Sequence, residues 1–377
     1  MDVVDDNDHL GLTVSGTDEE QKNIDRNIQN CRKSLFGLLG TAFSYKCMLS
    51  PITQAHLWRT YNLPILLSGL SSLPIRPSHT KSLTIFHNKV MRGFLKLSMS
   101  SPVPALHFLL GELTAEAHIH IQTLSLFHNL WANPDITVFE LVKFILRMCR
   151  DNSTTWSNHV QILCKIYSLP CPLYLLEHVP AWPKEKWTTL IKTRVTVHHE
   201  TKLWLRAKSN SKMCYLNVQL LGLSGHPHPA LLDIFTTQDV RKLRLHIKFL
   251  AGDFLTAERV ALDQPQLSPM CKLCGVSVET TSHVLVQCRP LSEVRERLLP
   301  ELLNVVSQVQ PSSDILNNPS QQDLTQFILD CTSPNLNNNT RVPAHNPDIK
   351  LIFRVSRDWC FAISNKLLCL LQEQKSK

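Results

Sequence analysis

Residues 270–290 read MCKLCGVSVETTSHVLVQCRP, which sets Cys271, Cys274, His283 and Cys288 in the spacing Cys-x2-Cys-x8-His-x4-Cys. A structural zinc ion takes four tetrahedral ligands, and three thiolates with one imidazole form a common set. Cys-x-x-Cys closes a tight loop that directs two sulfurs at one point. Gly275 follows where such a loop often needs a backbone free of Cβ sterics. Thr280 or Thr281 can cap a short helix, with His283 near its start and Cys288 about one and a half turns on. The rival reading is a loose pair of buried cysteines beside an unrelated histidine. It accounts poorly for four ligands at such compact spacing. A structural Zn2+ is therefore expected, with every position filled by protein and none open to water.

Just before this segment the charge is lopsided. From Lys184 to Lys248 there are twelve Lys/Arg against four Asp/Glu, an excess equal to the net +8 of the whole chain. A concentrated basic stretch is the electrostatic footprint of a phosphate-backbone partner, although a solvated basic face has the same composition. Within it, a helical unit from about Thr236 to Ala261 sets Arg241, Arg244 and Lys248 on one face and Val240, Leu243 and Ile247 on another. With Lys242, these cations are the candidate nucleic-acid contacts nearest the cysteines. Leu245 and Phe249 break the pattern, as they would if they packed against the cysteine segment or if the helix were buried on two sides.

Farther out the chain reads as helix after helix. HLGLTV, residues 9–14, is a short strand candidate, and Thr17-x-x-Glu20 is a capping-box pattern. Ile24, Ile28, Cys31, Leu35 and Leu38 then form one apolar stripe, with Lys22, Arg26 and Lys33 opposite as a second candidate contact face. Ser50-Pro51 and Ser78 open further helices. Segments near 104–131, 137–149, 153–167 and 183–206 follow, several separated by prolines. Residues 307–347, rich in Ser, Asn, Gln and Pro, read as a flexible linker with a short apolar turn at Phe327–Leu329. A last helix spans about Ser356 to Gln372. The fold class is mainly α, with a short N-terminal strand.

Composition bounds the rest. A chain of 377 residues with 43% hydrophobic content holds two or three domains with sizeable cores. The acidic start MDVVDDND has no apolar signal region. The run from Leu63 to Ile75 is broken by Pro64 and Pro74 and is no membrane span. Twelve scattered cysteines suit a reducing compartment, so an intracellular protein of nucleus or cytoplasm is expected. Cys31, Cys149 and Cys164 sit among apolar residues and read as core. His118-x-His120 and His198-His199 do not bring two imidazoles onto one helix face, so exposed or core histidines are expected. No glycine-rich phosphate loop or nucleophile elbow is present.

The segment from Cys271 to Arg297, with its Cys-x-x-Cys-Gly, Glu279-Thr280-Thr281, His283 and Cys288, resembles the zinc knuckle that ends the reverse-transcriptase polyproteins of animal non-LTR retrotransposons. LHIKFLAGDFLTAERVALDQPQLSPMCKLC, residues 245–274, is similar to the approach to that knuckle. HLGLTVSG resembles the passage from palm to thumb, and FRVSRDWCFAI, residues 353–363, the closing helix of some of these polyproteins. The resemblance covers nearly the whole chain and is most specific at the knuckle. It implies a palm end and thumb-like bundle over 1–133, a helical connector over 134–235, the basic helix and knuckle over 236–303, a flexible linker over 304–350 and a C-terminal helix over 351–377.

The resemblance also implies where catalysis would sit. A polymerase needs adjacent aspartates and a third carboxylate to hold two metal ions. The nearest text, Val3-Val4-Asp5-Asp6, lacks the aromatic residue of that motif and stands too close to Leu10-Gly11. Asp5 and Asp6 therefore read as a strand edge or turn, and the chain as a truncated, non-catalytic protein. A nuclease reading of Pro347-Asp348-Ile349-Lys350 fails because Asp348 cannot fill two acidic positions. The expected partners are RNA or DNA, bound with little sequence preference through Lys/Arg. A zinc-stapled protein-interaction domain, or a reading frame without selected role, stays open, as does the oligomeric state.

Overall fold

The computed structural model describes residues 6–9, 12–15, 18–38, 49–148, 154–218, 226–317 and 319–375. Two antiparallel strands, β1 (Asp6–His9) and β2 (Leu12–Ser15), pair with Asp6 opposite Ser15 and His9 opposite Leu12. The single strand expected over 9–14 is instead divided, with His9 ending β1 and Leu12, Thr13 and Val14 belonging to β2. The α-helices run in order α1 (Glu19–Leu38), α2 (Pro51–Leu57), α3 (Leu63–Leu67), α4 (Thr80–Leu95), α5 (Val103–Leu110), α6 (Ala115–Trp131), α7 (Ile136–Arg147) and α8 (Trp156–Ile166). They continue with α9 (Pro172–His178), α10 (Lys184–Lys208), α11 (Thr237–Leu250), α12 (Ala257–Asp263), α13 (Ser292–Val309), α14 (Gln321–Asp330) and α15 (Ile349–Lys375). The protein is mainly α. No helix among the described residues is long and apolar enough to cross a membrane. The expectations placed on Asp5, Leu10-Gly11, Thr17 and Cys149 fall outside the described residues.

The chain divides into two compact units. The first comprises residues 1–47, 54–91 and 113–203, and the second 48–53, 92–112 and 204–377. In the first, α1 buries Ile24, Ile28 and Cys31, and burial pushes the Cys31 thiol up to about 12. Two asparagines on the same face are buried as well. Asn23 accepts from the Thr13 N–H and donates to its carbonyl, at 2.9 and 2.8 Å, clamping β2 to the helix. Asn27 donates to the Ser68 carbonyl at 2.7 Å.

A second core in this unit joins α6, α7, α8, α9 and α10. Leu124, Phe127 and Trp131 of α6 pack with Val142 and Leu146 of α7, so the boundary expected at 133/134 runs through one continuous core. Trp187, wholly buried, donates its indole N–H to the Leu124 carbonyl at 2.9 Å. On α10 the buried residues Trp187, Ile191, Val195, His199, Leu203 and Ala207 recur every fourth position. The long helix keeps one buried stripe and turns its remaining positions outward.

The one helix expected over 104–131 is two. Gly111 ends α5 at φ +62, and Thr114 caps α6 by accepting from the Ala117 N–H. A side chain at Gly111 would also place its Cβ 2.5 Å from the His226 carbonyl oxygen, so both conformation and space demand glycine. The helical unit expected from 236 to 261 likewise breaks after α11, whose capping box is Thr236 with Asp239.

The second unit corrects the linker expected over 304–350. The helix from Ser292 continues to Val309, and α14 buries Phe327, Ile328, Leu329 and Asp330 in the middle of the polar tract. A linker-like composition misleads here because its polar groups are buried with partners. Asp330, wholly inaccessible, accepts from the Asn217 N–H at 2.8 Å, from His228 Nε2 at 3.1 Å and from the Thr332 hydroxyl at 2.6 Å. Burial raises the carboxyl, but His228 and the other donors prevail and hold it below its ordinary value. The closing helix α15 then lays Ile352, Phe353, Trp359, Cys360 and Ile363 inward against α11 and α13. Its buried Arg357 donates to the carbonyls of Ala230 and Leu232, both at 3.1 Å.

Candidate metal centre

The knuckle lies in the second unit, built from a loop and a turn. Met270 and Val278 form an antiparallel bridge, and the Cys271 N–H donates to the Ser277 carbonyl at 2.8 Å. Inside that loop the Gly275 N–H returns to the Cys271 carbonyl at 2.8 Å, with Gly275 at φ +66. The left-handed residue lets Cys271 and Cys274 point to one side. The Thr280 hydroxyl then accepts from the His283 N–H at 3.0 Å, the cap expected from sequence.

The turn itself differs from the short α-helix expected. His283–Gln287 is a π-turn, closed by the Cys288 N–H donating to the His283 carbonyl at 2.8 Å. Five residues on an α-helix end about 140° round from the start, which would aim His283 and Cys288 apart. The wider turn brings them back to one side.

The four donor atoms converge. Cys271 Sγ lies 3.8 Å from Cys288 Sγ, Cys274 Sγ lies 3.4 Å from His283 Nε2, and all four fall within 4.8 Å of one another. A tetrahedral zinc with thiolates at about 2.3 Å and an imidazole at about 2.0 Å places its sulfurs about 3.8 Å apart and sulfur about 3.5 Å from nitrogen. Cys271, His283 and Cys288 are buried and Cys274 half-buried. The set could hold a metal ion, and its geometry fits a tetrahedral one.

Burial and hydrogen bonding set the protonation of the four donors. Burial raises the Cys271 thiol, and burial with the neighbouring Cys271 sulfur pushes Cys288 up to about 12. The Val276 N–H donates to Cys274 and lowers it. Burial lowers His283, which keeps the imidazole neutral as a ligand must be. Crowded thiolates repel one another, and a dication at their centre removes that cost.

Surrounding elements hold the knuckle firmly. Arg295 of α13 donates to the Cys288 carbonyl at 2.6 Å, and Glu279 accepts from the Ala257 N–H at the start of α12, at 3.0 Å. Ser282 meets Thr325 of α14 at 2.8 Å, and the buried Trp359 of α15 donates to the Leu285 carbonyl at 3.1 Å. Trp359→Ala would empty the space above Leu285. We expect it to lower stability against urea by about 3–5 kcal/mol and to weaken metal retention. Unchanged urea midpoint and metal content would show that α15 does not support the knuckle.

The candidate nucleic-acid contacts separate on inspection. Of the four candidates on α11, Arg241 alone is exposed, and Lys242 is paired with Asp358. Arg244 and Lys248 are half-buried. On α1, Lys33 is exposed and Lys22 half-buried, while Arg26 is spent on structure, donating to the Thr13 hydroxyl at 3.0 Å and to Asn23 Oδ1 at 2.9 Å. The larger set of exposed cations lies on α10. There Lys184, Lys186, Lys192, Arg194, Lys202, Arg206 and Lys208 are all exposed. Lys202 pairs with Glu116 at 3.5 Å, whereas Lys192, Arg194 and Arg206 make no ion pair with a described residue. The four-residue buried stripe was the available signal, since it turns these cations to solvent.

Two histidine pairs meet in the first unit without forming a metal set. The Tyr167 hydroxyl bridges His120 Nδ1 at 2.6 Å and His199 Nε2 at 3.1 Å, and His199 Nδ1 reaches the Thr114 hydroxyl at 3.1 Å. Asp18, Glu20 and His79 form a further, more exposed group at ligand spacing. Asp348 stands in the turn just before α15 and not on a strand. No protein-family model, curated protein or solved structure matches this chain.

Proposed function

We propose that this chain is a non-catalytic, zinc-stapled nucleic-acid-binding protein derived from a non-LTR retrotransposon reverse transcriptase. The observation that carries the binding reading is the charge. The entire net excess lies in 184–248, and on α10 its cations face solvent. Lys/Arg contacts to phosphates give affinity with little sequence preference, so RNA and DNA are both partners. The zinc reading rests on the three-thiolate, one-imidazole donor set and its spacing. With four protein ligands the ion would be structural. The resemblance at the knuckle supplies the ancestry, and the poor match of Val3-Val4-Asp5-Asp6 to a catalytic motif supports absence of polymerase activity. One observation favours the alternative of a zinc-stapled protein-interaction domain. The His283–Cys288 turn is packed among α13, α14 and α15, with Leu285 wholly buried.

The test is salt-dependent binding of labelled RNA and duplex DNA. Replacing Lys192, Arg194 and Arg206 with Gln should weaken both alike. If all three contact phosphates, it should flatten the salt slope on duplex DNA by up to about 3 units, at about 0.9 per contact. Zinc content should not change. Folded, zinc-loaded protein that binds neither nucleic acid at low salt would replace this reading with the interaction domain.

A further inference from the structure

Helix α7 carries an apolar stripe on its outer face, between exposed charges. Val142 and Leu146 are buried beneath it, yet Leu141, Phe144, Ile145 and Met148 on the other side are 55, 60, 43 and 64% exposed. Scattered apolar residues on a surface need no explanation, but a contiguous stripe does. Thr137, Leu141, Phe144 and Met148 follow one another at spacings of four, three and four, the interval at which apolar side chains form a seam between two packed helices. The seam ends in a cap at its N-terminus, where Asp135 accepts from the Thr137 N–H at 2.8 Å, so the helix is well formed without a partner.

The charges beside the seam decide what covers it. Glu140 and Arg147 flank the stripe at equivalent positions, seven residues apart, and Glu140, 60% exposed, meets among the described residues only Lys143 of its own helix, at 3.8 Å. When two copies of α7 lie antiparallel about a two-fold axis, Leu141 stacks on Phe144 of the other copy. Glu140 then faces Arg147 of the other copy, twice over. A parallel pair would set Glu140 against Ile145 instead. Arg147 already pairs with Glu177 through Nε at 2.8 Å and Nη2 at 2.5 Å, which fixes its position and leaves Nη1 for a second carboxylate. We propose that the exposed face of α7 is a self-association site, on which a second copy of this chain docks antiparallel through Leu141, Phe144 and Met148 with reciprocal Glu140–Arg147 pairs. Two identical surfaces satisfying one another is the geometry of a closed two-fold dimer. One helix face per copy is small beside standard interfaces, so dissociation in about the micromolar range is expected.

Sedimentation equilibrium of the full zinc-loaded chain, from well below to well above about 1 μM, should show a monomer–dimer equilibrium. Phe144→Glu should abolish the dimer and leave the circular dichroism and zinc content unchanged. Glu140→Arg and Arg147→Glu should each weaken self-association about tenfold or more, since like charges then oppose. Mixed in equal amounts, these two variants should associate again, because the heterodimer restores opposite charges at both positions. That rescue stands even where Phe144→Glu fails to fold. A monomer at every concentration, a dimer indifferent to Glu140→Arg, or a mixture no tighter than its parts would overturn the proposal.

Discussion

Cys274→Ser or His283→Ala should strip the protein of zinc and unfold the segment from Met270 to Leu291. Purified under reducing conditions, the parent chain should carry one zinc per molecule by metal analysis, and either variant should fall to background. The expected effect is large because the four donors meet in a mostly buried cluster whose mutual repulsion a cation relieves. Metal binding supplies on the order of 10 kcal/mol in isolated modules of this kind. The damage should spread beyond the ligands. Val284 and Leu285 are buried between the ligand positions, and Trp359, Arg295 and Ser282 bind the same turn to α15, α13 and α14. Thermal melting should therefore shift with chelator as well as with mutation. Soluble, folded, reduced protein that contains no zinc would remove the metal from the account.

Acid should destabilise the first unit well before its carboxylates titrate. Burial lowers His159 to about 4, and burial with His159, His199, Lys202 and His198 nearby holds His120 well below the ordinary histidine value. In the unfolded chain both return to about 6.5. Between those values the unfolded state binds more protons, so their contribution is complete above about pH 6.5 and is lost as pH falls toward about 4. For His159 a drop from 6.5 to about 4 corresponds to roughly 3 kcal/mol when complete. His246, wholly buried in the second unit and also lowered to about 4 by burial, adds a parallel loss there. Urea unfolding at pH 7.5 and pH 5.5 should show this fall, and His159→Gln should reduce it. That variant separates histidine protonation from acid release of zinc, which it leaves untouched. Equal stability at the two pH values would show that the histidines are not held neutral.

Much of this molecule is written locally. The candidate ligand set follows from residue type and spacing, because Cys-x-x-Cys and a nearby His and Cys can converge within about twenty residues whatever surrounds them. The helical character follows from apolar periodicity, as in the stripe of Ile24, Ile28 and Cys31, and from caps such as Thr236 with Asp239. The break at Gly111 and Thr114 was also present in the text, as a terminating glycine followed by a capping threonine.

Other features depended on contacts between distant positions. Composition assigned 307–347 to a linker, yet Asp330 is buried because Asn217 and His228, more than a hundred residues earlier, satisfy it. Periodicity put Arg26 on a free basic face, but Thr13 claims its guanidinium. It pointed to α11 for exposed charge, but packing leaves most of that charge on α10. The π-turn that unites His283 with Cys288 is closed at 2.8 Å by one backbone hydrogen bond that no residue preference announces. Burial and partner choice are properties of the assembled chain. A polar side chain is linker or core according to what the rest of the fold brings to it.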